Sequence, residues 1–307
     1  MLELKSKTLR ARFSPLGAKI VALFVGDVDV VVGPGSDADA LASDAYTGSV
    51  TGRYAGRITD AKFMLDGAEV RLVANVGPDQ LHGGLQNFCN TVWNASEIPN
   101  GVRFTLSSPD GDQGYPGAMD ASATYQLTDN VLSLDLEAAT TKPTVVNLTN
   151  HAYWNLAGGG SGLAQEVEMP ADHYLPLHGA KLPTGEIRDV TGTHFDFRKL
   201  RVVGEAYDAC FCLGGERGKL RHGLTMRDSV SGRKMAVYTT EPGMQFYTAD
   251  HFNNSMPGKY GPLAQHNSIA IEPQNYPDAP NHSNFPSAVL RPGEVYRHRI
   301  EWRFFGQ

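Results

Sequence analysis

Cysteine is scarce in this chain: Cys89, Cys210 and Cys212 are its three thiols. An odd number, with one C-x-C pair and no CxxC, supplies neither a disulfide framework nor a zinc pattern, and points to a reducing compartment. Long apolar runs are missing too. Nothing approaches the ~20 residues of a membrane helix, and "MLELKSKTLRARF" alternates charge with apolarity where a signal peptide would carry an apolar block. A cytoplasmic protein is expected. Basic charge is in deficit, 27 Lys and Arg against 33 Asp and Glu for a net −6, which argues against a nucleic-acid or anionic-membrane partner. No GxxxxGK[ST], HExxH or G-x-S-x-G occurs, so phosphate-loop, zinc-protease and serine-hydrolase chemistries find no support.

Extended 3.6-residue periodicity is also lacking; the best short helix candidate is "DADALASDA" at 37–45. Glycine and proline, 33 and 18 of 307 residues, instead punctuate the chain about once in six positions. That spacing favours many short strands. Apolar runs rich in Val and Ile recur from "ARFSPLGAKIVALFVGDVDVVVG" to "NSIAIEP", and "LSLDL" at 132–136 alternates with period two. With strands over nearly the whole length, and only "LAGGGSGLAQ" (156–165) resembling a linker, the expected fold is all-β. It is a large antiparallel β-sandwich formed as one domain over 1–307. "GPGSDA" after a strand has the form G-x-G-x-x-A, but Pro34 and the acidic residues behind it suit a turn, not a phosphate-cradling helix. His173 and His178 lie in a proline-containing loop and read as surface histidines, and no metal is expected.

Polar and aromatic groups gather beside tight turns in "GRYAGRI" (52–58), "LHGG" (81–84), "NHAYWNL" (150–156) and "IEPQNYPDAPNHSNFP" (271–286). Such a mixture suits a neutral hydrogen-bonding ligand, and sugars are the obvious class. In "SIAIEPQ" a strand would turn Ile269 and Ile271 to one face and Ala270 and Glu272 to the other, with Pro273 ending the ladder and Glu272 at a rim. A desolvated carboxylate there could act as general base and a nearby histidine as acid. Spacing alone leaves open the plainer reading of Glu272 as an exposed strand-end residue and His151 as a satisfied core histidine.

Taken in order, these segments resemble the aldose 1-epimerase (galactose mutarotase) family over almost the whole chain. "GRYAGRI", "LHGG" and "NHAYWNL" match three family motifs, and "LPTGEIRDVTGTHFDFR", "EPGMQFYTAD" and the stretch from Ile271 to Phe304 resemble later blocks. The resemblance implies a β-sandwich with an open cleft for a free monosaccharide and no cofactor. It implies His151 as general acid toward the ring oxygen and Glu272 as general base toward the C1 hydroxyl. His82 and Arg57 match sugar-positioning residues, and Asp208 and Gln245 match hydroxyl-binding ones. Phe246 and Trp154 are expected as aromatic walls for the pyranose, with the protein a monomer or weak homodimer.

Three departures stand out: Gly56 where the family has Asn, "DACF" where it reads D-H-x-F, and "YTAD" (Ala249, Asp250) for Y-T-G-N. Gly56 and Ala249 both fall near the implied sugar contacts, so the identity of the sugar stays open. The rivals are a sugar-binding or sensing protein without turnover, an epimerase for phosphorylated or otherwise atypical sugars that would cluster Arg53 with Arg57, and a glycosidase using Glu272 with Asp208.

Overall fold

The computed structural model describes residues 1–43 and 45–306. Almost every regular element in it is a strand, and the main layers are two antiparallel sheets. The larger has nine strands. Its middle is built from Met119–Thr128, Val131–Thr140, Tyr296–Phe305, Lys234–Thr239 and Arg221–Arg227, in that spatial order. The second has seven, with Asp208–Cys212, Gly243–Tyr247, Ile269–Gln274 and Tyr153–Trp154 side by side at its centre. A further four-stranded sheet comes from residues 2–29.

Period-two patterning decides which face of each strand is covered. Leu132, Leu134 and Leu136 are fully buried, as the alternation of "LSLDL" requires, and join one apolar cluster with Val237, Ile300 and Trp302. From the second sheet the same cluster receives Trp154, Phe211, Phe246, Ile269 and Ile271. Trp154 meets Trp302 across the layers at 5.7 Å.

The glycine-rich segment 156–165 is no free linker: Asn155 Nδ2 donates to the carbonyls of Gly159 and Gly160, and Gly162 N–H to that of His266. The helix candidate at 37–45 forms only Asp37–Leu41, capped by the Ser36 side chain; Asp44 of that candidate lies outside the described residues. Among the described residues no helix is long and apolar enough to cross a membrane.

Candidate active site

The strand Ile269–Gln274 carries the acidic half of the site. Ile269 and Ile271 enter the core as expected, and Glu272 and Gln274 face a cleft of about 310 Å³. That volume lies at the small end of the ~300–1,000 Å³ usual for ligand sites and suits a monosaccharide. Pro273 does not end the ladder. Its carbonyl accepts from Thr149 Oγ1 and so points away from the neighbouring strand; an N–H there would point away as well, and pairing continues to Gln274. Glu272 therefore sits inside the strand, 2% exposed, rather than at an open rim.

His151 does not lie on one continuous strand. It occupies the break between Thr149–Asn150, which pairs with Val50–Thr51, and Tyr153–Trp154 of the seven-stranded sheet. Its N–H donates to the Ser49 carbonyl and its own carbonyl accepts from Gly48. The flanking asparagines are fastenings. Asn147 Nδ2 donates to the Ala55 and Asn275 carbonyls while its Oδ1 accepts from Asn275 N–H; Asn150 Nδ2 donates to the Gly48 carbonyl and the Tyr125 hydroxyl.

These fastenings bring His151 Nε2 to 3.6 Å from Glu272 Oε1, both side chains buried. The gap is too long for a hydrogen bond, yet two oxygens on one carbon could reach both groups. Burial, reinforced by the Asp208 carboxylate, pushes Glu272 well above the usual carboxylate range. Burial likewise lowers His151 to about 3. His82 is lowered by burial, then by His151 and Arg57. Its Nδ1 accepts the Gly56 N–H, which leaves the ring proton on Nε2 as a donor.

His82 owes its place to the turn that follows Gln80–Leu81. His82, Gly83 and Gly84 all have positive φ, and a Cβ on Gly83 would lie 2.0 Å from the Gly52 carbonyl oxygen. Only glycine lets the chain pass there.

Asp208 and Gln245 sit on adjacent strands and meet, Gln245 Nε2 donating to Asp208 Oδ1 at 2.7 Å; both line the cleft with Arg57. Arg57 Nη1, His151 Nδ1, Glu272 Oε2 and both amide atoms of Gln274 are buried without a protein partner. Hydrogen-bonding capacity is thus concentrated on one cleft. His82, His151 and Glu272 also place ligand atoms within 4.8 Å of one another, close enough to grip a divalent cation, although the neighbouring Arg57 charge opposes one.

Two expected walls are misplaced. Trp154 is fully buried against Trp302 and Phe304, and Phe246 against Phe197, Tyr207 and Phe211; neither lines the cleft. Each lies one residue from a residue that does. Tyr153 stacks on His151 at 5.0 Å, while Gln245 and Tyr247 flank Phe246 on the open face. Tyr46, Tyr153, Tyr247, His251, Lys181 and Gln274 are cleft residues the sequence reading missed. Strand parity relative to Glu272 could have found Gln274, Tyr247 and Tyr153; nothing local marks the loop residues.

Of the departures, Gly56 lines the cleft, but Ala249 does not: it packs with Tyr153 and Phe252 beneath it. Arg53 is 2% exposed and donates to the Ser108 hydroxyl and to the carbonyls of Ser108, Pro109 and Gly117, so it forms no cleft pair with Arg57.

The aldose 1-epimerase family model matches residues 1–303. The chain is 40% identical to a galactose mutarotase of Bos taurus, over 98% of this chain and 93% of that one. It is 34% identical to an aldose 1-epimerase of Escherichia coli K12, over 86% and 81%. The crystal structure of a GalM/aldose epimerase homologue from C. elegans superposes with a TM-score of 0.93 at 30% identity, covering 99% of this chain and 98% of that one.

Proposed function

The chain belongs to the aldose 1-epimerase family, and we propose that His151 and Glu272 carry its reaction, the interconversion of the α and β anomers of a free aldose. The observation that carries this assignment is the buried 3.6 Å approach of His151 to Glu272 at the floor of a cleft rich in unpartnered polar atoms.

Glu272 takes the proton from O1 while His151 gives one to the ring oxygen; both oxygens are bonded to C1, which fits the short gap. The C1–O5 bond breaks and O1 becomes the aldehyde oxygen. Rotation about C1–C2 presents the other carbonyl face. Reclosure returns each proton, so neither is consumed and no cofactor is required.

The free site and the open-chain stage share a proton pattern: a neutral carboxyl beside a neutral imidazole, the state burial favours for both groups. The ionised pattern, with carboxylate and imidazolium, holds the same number of protons. The sugar hydroxyls stabilise it on binding. Arg57 and the His82 Nε2 proton face the oxygens where charge develops, and Asp208, Gln245 and Gln274 hold the remaining hydroxyls.

Arg53's commitment to backbone carbonyls removes the arginine pair a phosphorylated sugar would want. We treat the 307 residues as one domain because the cleft draws on segments from residue 45 to residue 277. A reducing, cytoplasmic setting is supported by three buried free thiols. A monomer or weak homodimer is the assembly proposed; light scattering across a concentration series checks it.

The decisive experiment follows freshly dissolved aldoses to anomeric equilibrium by polarimetry or proton NMR in weak buffer, with Glu272→Gln as control. Acceleration by the native chain and none by the variant is expected. Equal acceleration by both would overturn the assignment of Glu272.

A further inference from the structure

Among the described residues Lys181 is the one lysine on the cleft wall, and neither the acid–base pair nor the residues around it require it. It ends the turn 179–181 of a small hairpin in which Leu177 pairs with Pro183 and His178 with Leu182. Its φ is 64°, a region that long side chains seldom adopt. From there Nζ reaches Asp208 Oδ2 at 2.6 Å and lies 5.4 Å from the centre of the Tyr247 ring.

Gln245 holds the other carboxylate oxygen of Asp208. Both oxygens are therefore engaged before any ligand arrives. The ammonium has three donors and Asp208 takes one; the Lys181 side chain is 49% exposed, so the others can turn to a ligand. Lysine and aspartate side by side offer a hydroxyl both a donor and an acceptor.

Sheet register places this pair relative to the chemistry. Glu272, Gln245 and Cys210 lie directly across three adjacent strands; Asp208 is two residues further along the last of them, opposite Tyr247. Two strand spacings and two residue rises put the Asp208 backbone about 12 Å from that of Glu272. With C1 against Glu272 and the ring oxygen at His151, which lies on the opposite side of that strand from Gln245, a pyranose turns its C2 and C3 edge toward Asp208 and Lys181.

We propose that Lys181 is a specificity-determining residue: with Asp208 it reads the oxygens at the C2–C3 edge of the sugar, so this chain ranks free aldoses by the oxygen content of that edge. The proposal rests on the mutarotase reading and deepens it.

The test compares initial anomerisation rates of native chain, Lys181→Met and Lys181→Arg on D-galactose, its 2-deoxy counterpart and a 3-deoxyhexose. Lys181→Met should raise KM for galactose roughly 5–20-fold, the effect of losing one charge-assisted hydrogen bond, with kcat within about twofold. KM for at least one deoxy sugar should stay unchanged, which identifies the oxygen read, and Lys181→Arg should recover part of the loss. A uniform KM rise over all three sugars, a fall in kcat alone, or no change would each overturn the proposal. Failure of the native chain to accelerate any of them would instead overturn the mutarotase reading. Lys181 is on an exposed turn, and an unchanged melting curve for the variants confirms that folding is not what is measured.

Discussion

Glu272 and His151 are displaced in opposite directions by one cause, burial, and their pH behaviour follows from that. The pair holds a single proton over a window bounded below by about 3, where His151 takes a second, and above by the raised value of Glu272. The kcat/KM profile should therefore stay level as pH falls through 6.5, where a free imidazole would titrate, and drop only on approaching His151's lowered value; stopped-flow polarimetry checks this. Glu272→Gln and His151→Asn should each lose about 10²–10⁴ in kcat, the usual worth of a positioned acid or base, with native circular dichroism. Stability gives an independent reading. A folded pKa raised above the unfolded 4.5 means the unfolded state releases its proton first, so native stability contributed by Glu272 is full below 4.5 and is lost as pH rises through the raised value. Glu272→Gln should thus melt higher than the native chain by roughly 2 °C or more near pH 8, with the difference closing toward pH 4, as read by scanning fluorimetry.

Strands and turns decide which of these residues could be read from the sequence. Alternation in "SIAIEPQ" assigned Ile269, Ile271 and Glu272 to their faces correctly, because a strand has only two. Trp154 and Phe246 are expected as walls from aromatic character alone, which carries no face assignment, and on a strand a shift of one residue exchanges cleft for core. His151 was legible as a chemical group but not as a break between strands, since that break is made by Asn147 and Asn150 gripping carbonyls distant in sequence. Lys181 and Tyr46 come from loops whose course is set by tertiary contacts, and nothing local announces them. The His82 turn gives a sharp test at this scale. Gly83→Ala would thrust a Cβ against the Gly52 carbonyl at a φ of 92°, so it should destabilise the protein by about 2 kcal/mol or more in urea and reduce turnover by displacing the His82 ring.

At the scale of the molecule, glycine and proline spacing and period-two runs conveyed the all-β class, while strand order stayed hidden because antiparallel neighbours come from anywhere in the chain. Core and cleft share the second sheet, one on each face, so damage to the two should be separable. Trp154→Ala removes the indole that spans the layers to Trp302 and should cost about 3–5 kcal/mol by denaturant titration. Below its lowered melting point that variant should keep a KM within about twofold, since Trp154 is absent from the cleft lining.

The place of Tyr296–Phe305 in the nine-stranded sheet has a bearing on biosynthesis. The strand lies between Val131–Thr140 and Lys234–Thr239, yet the ribosome makes it after every other strand of both sheets. Until it emerges, the two halves of the sheet present raw edges to each other and to other nascent chains, the condition under which strands pair wrongly. A message cut short before codon 296 should yield insoluble polypeptide with no residual turnover, even though every residue of the cleft has already been translated.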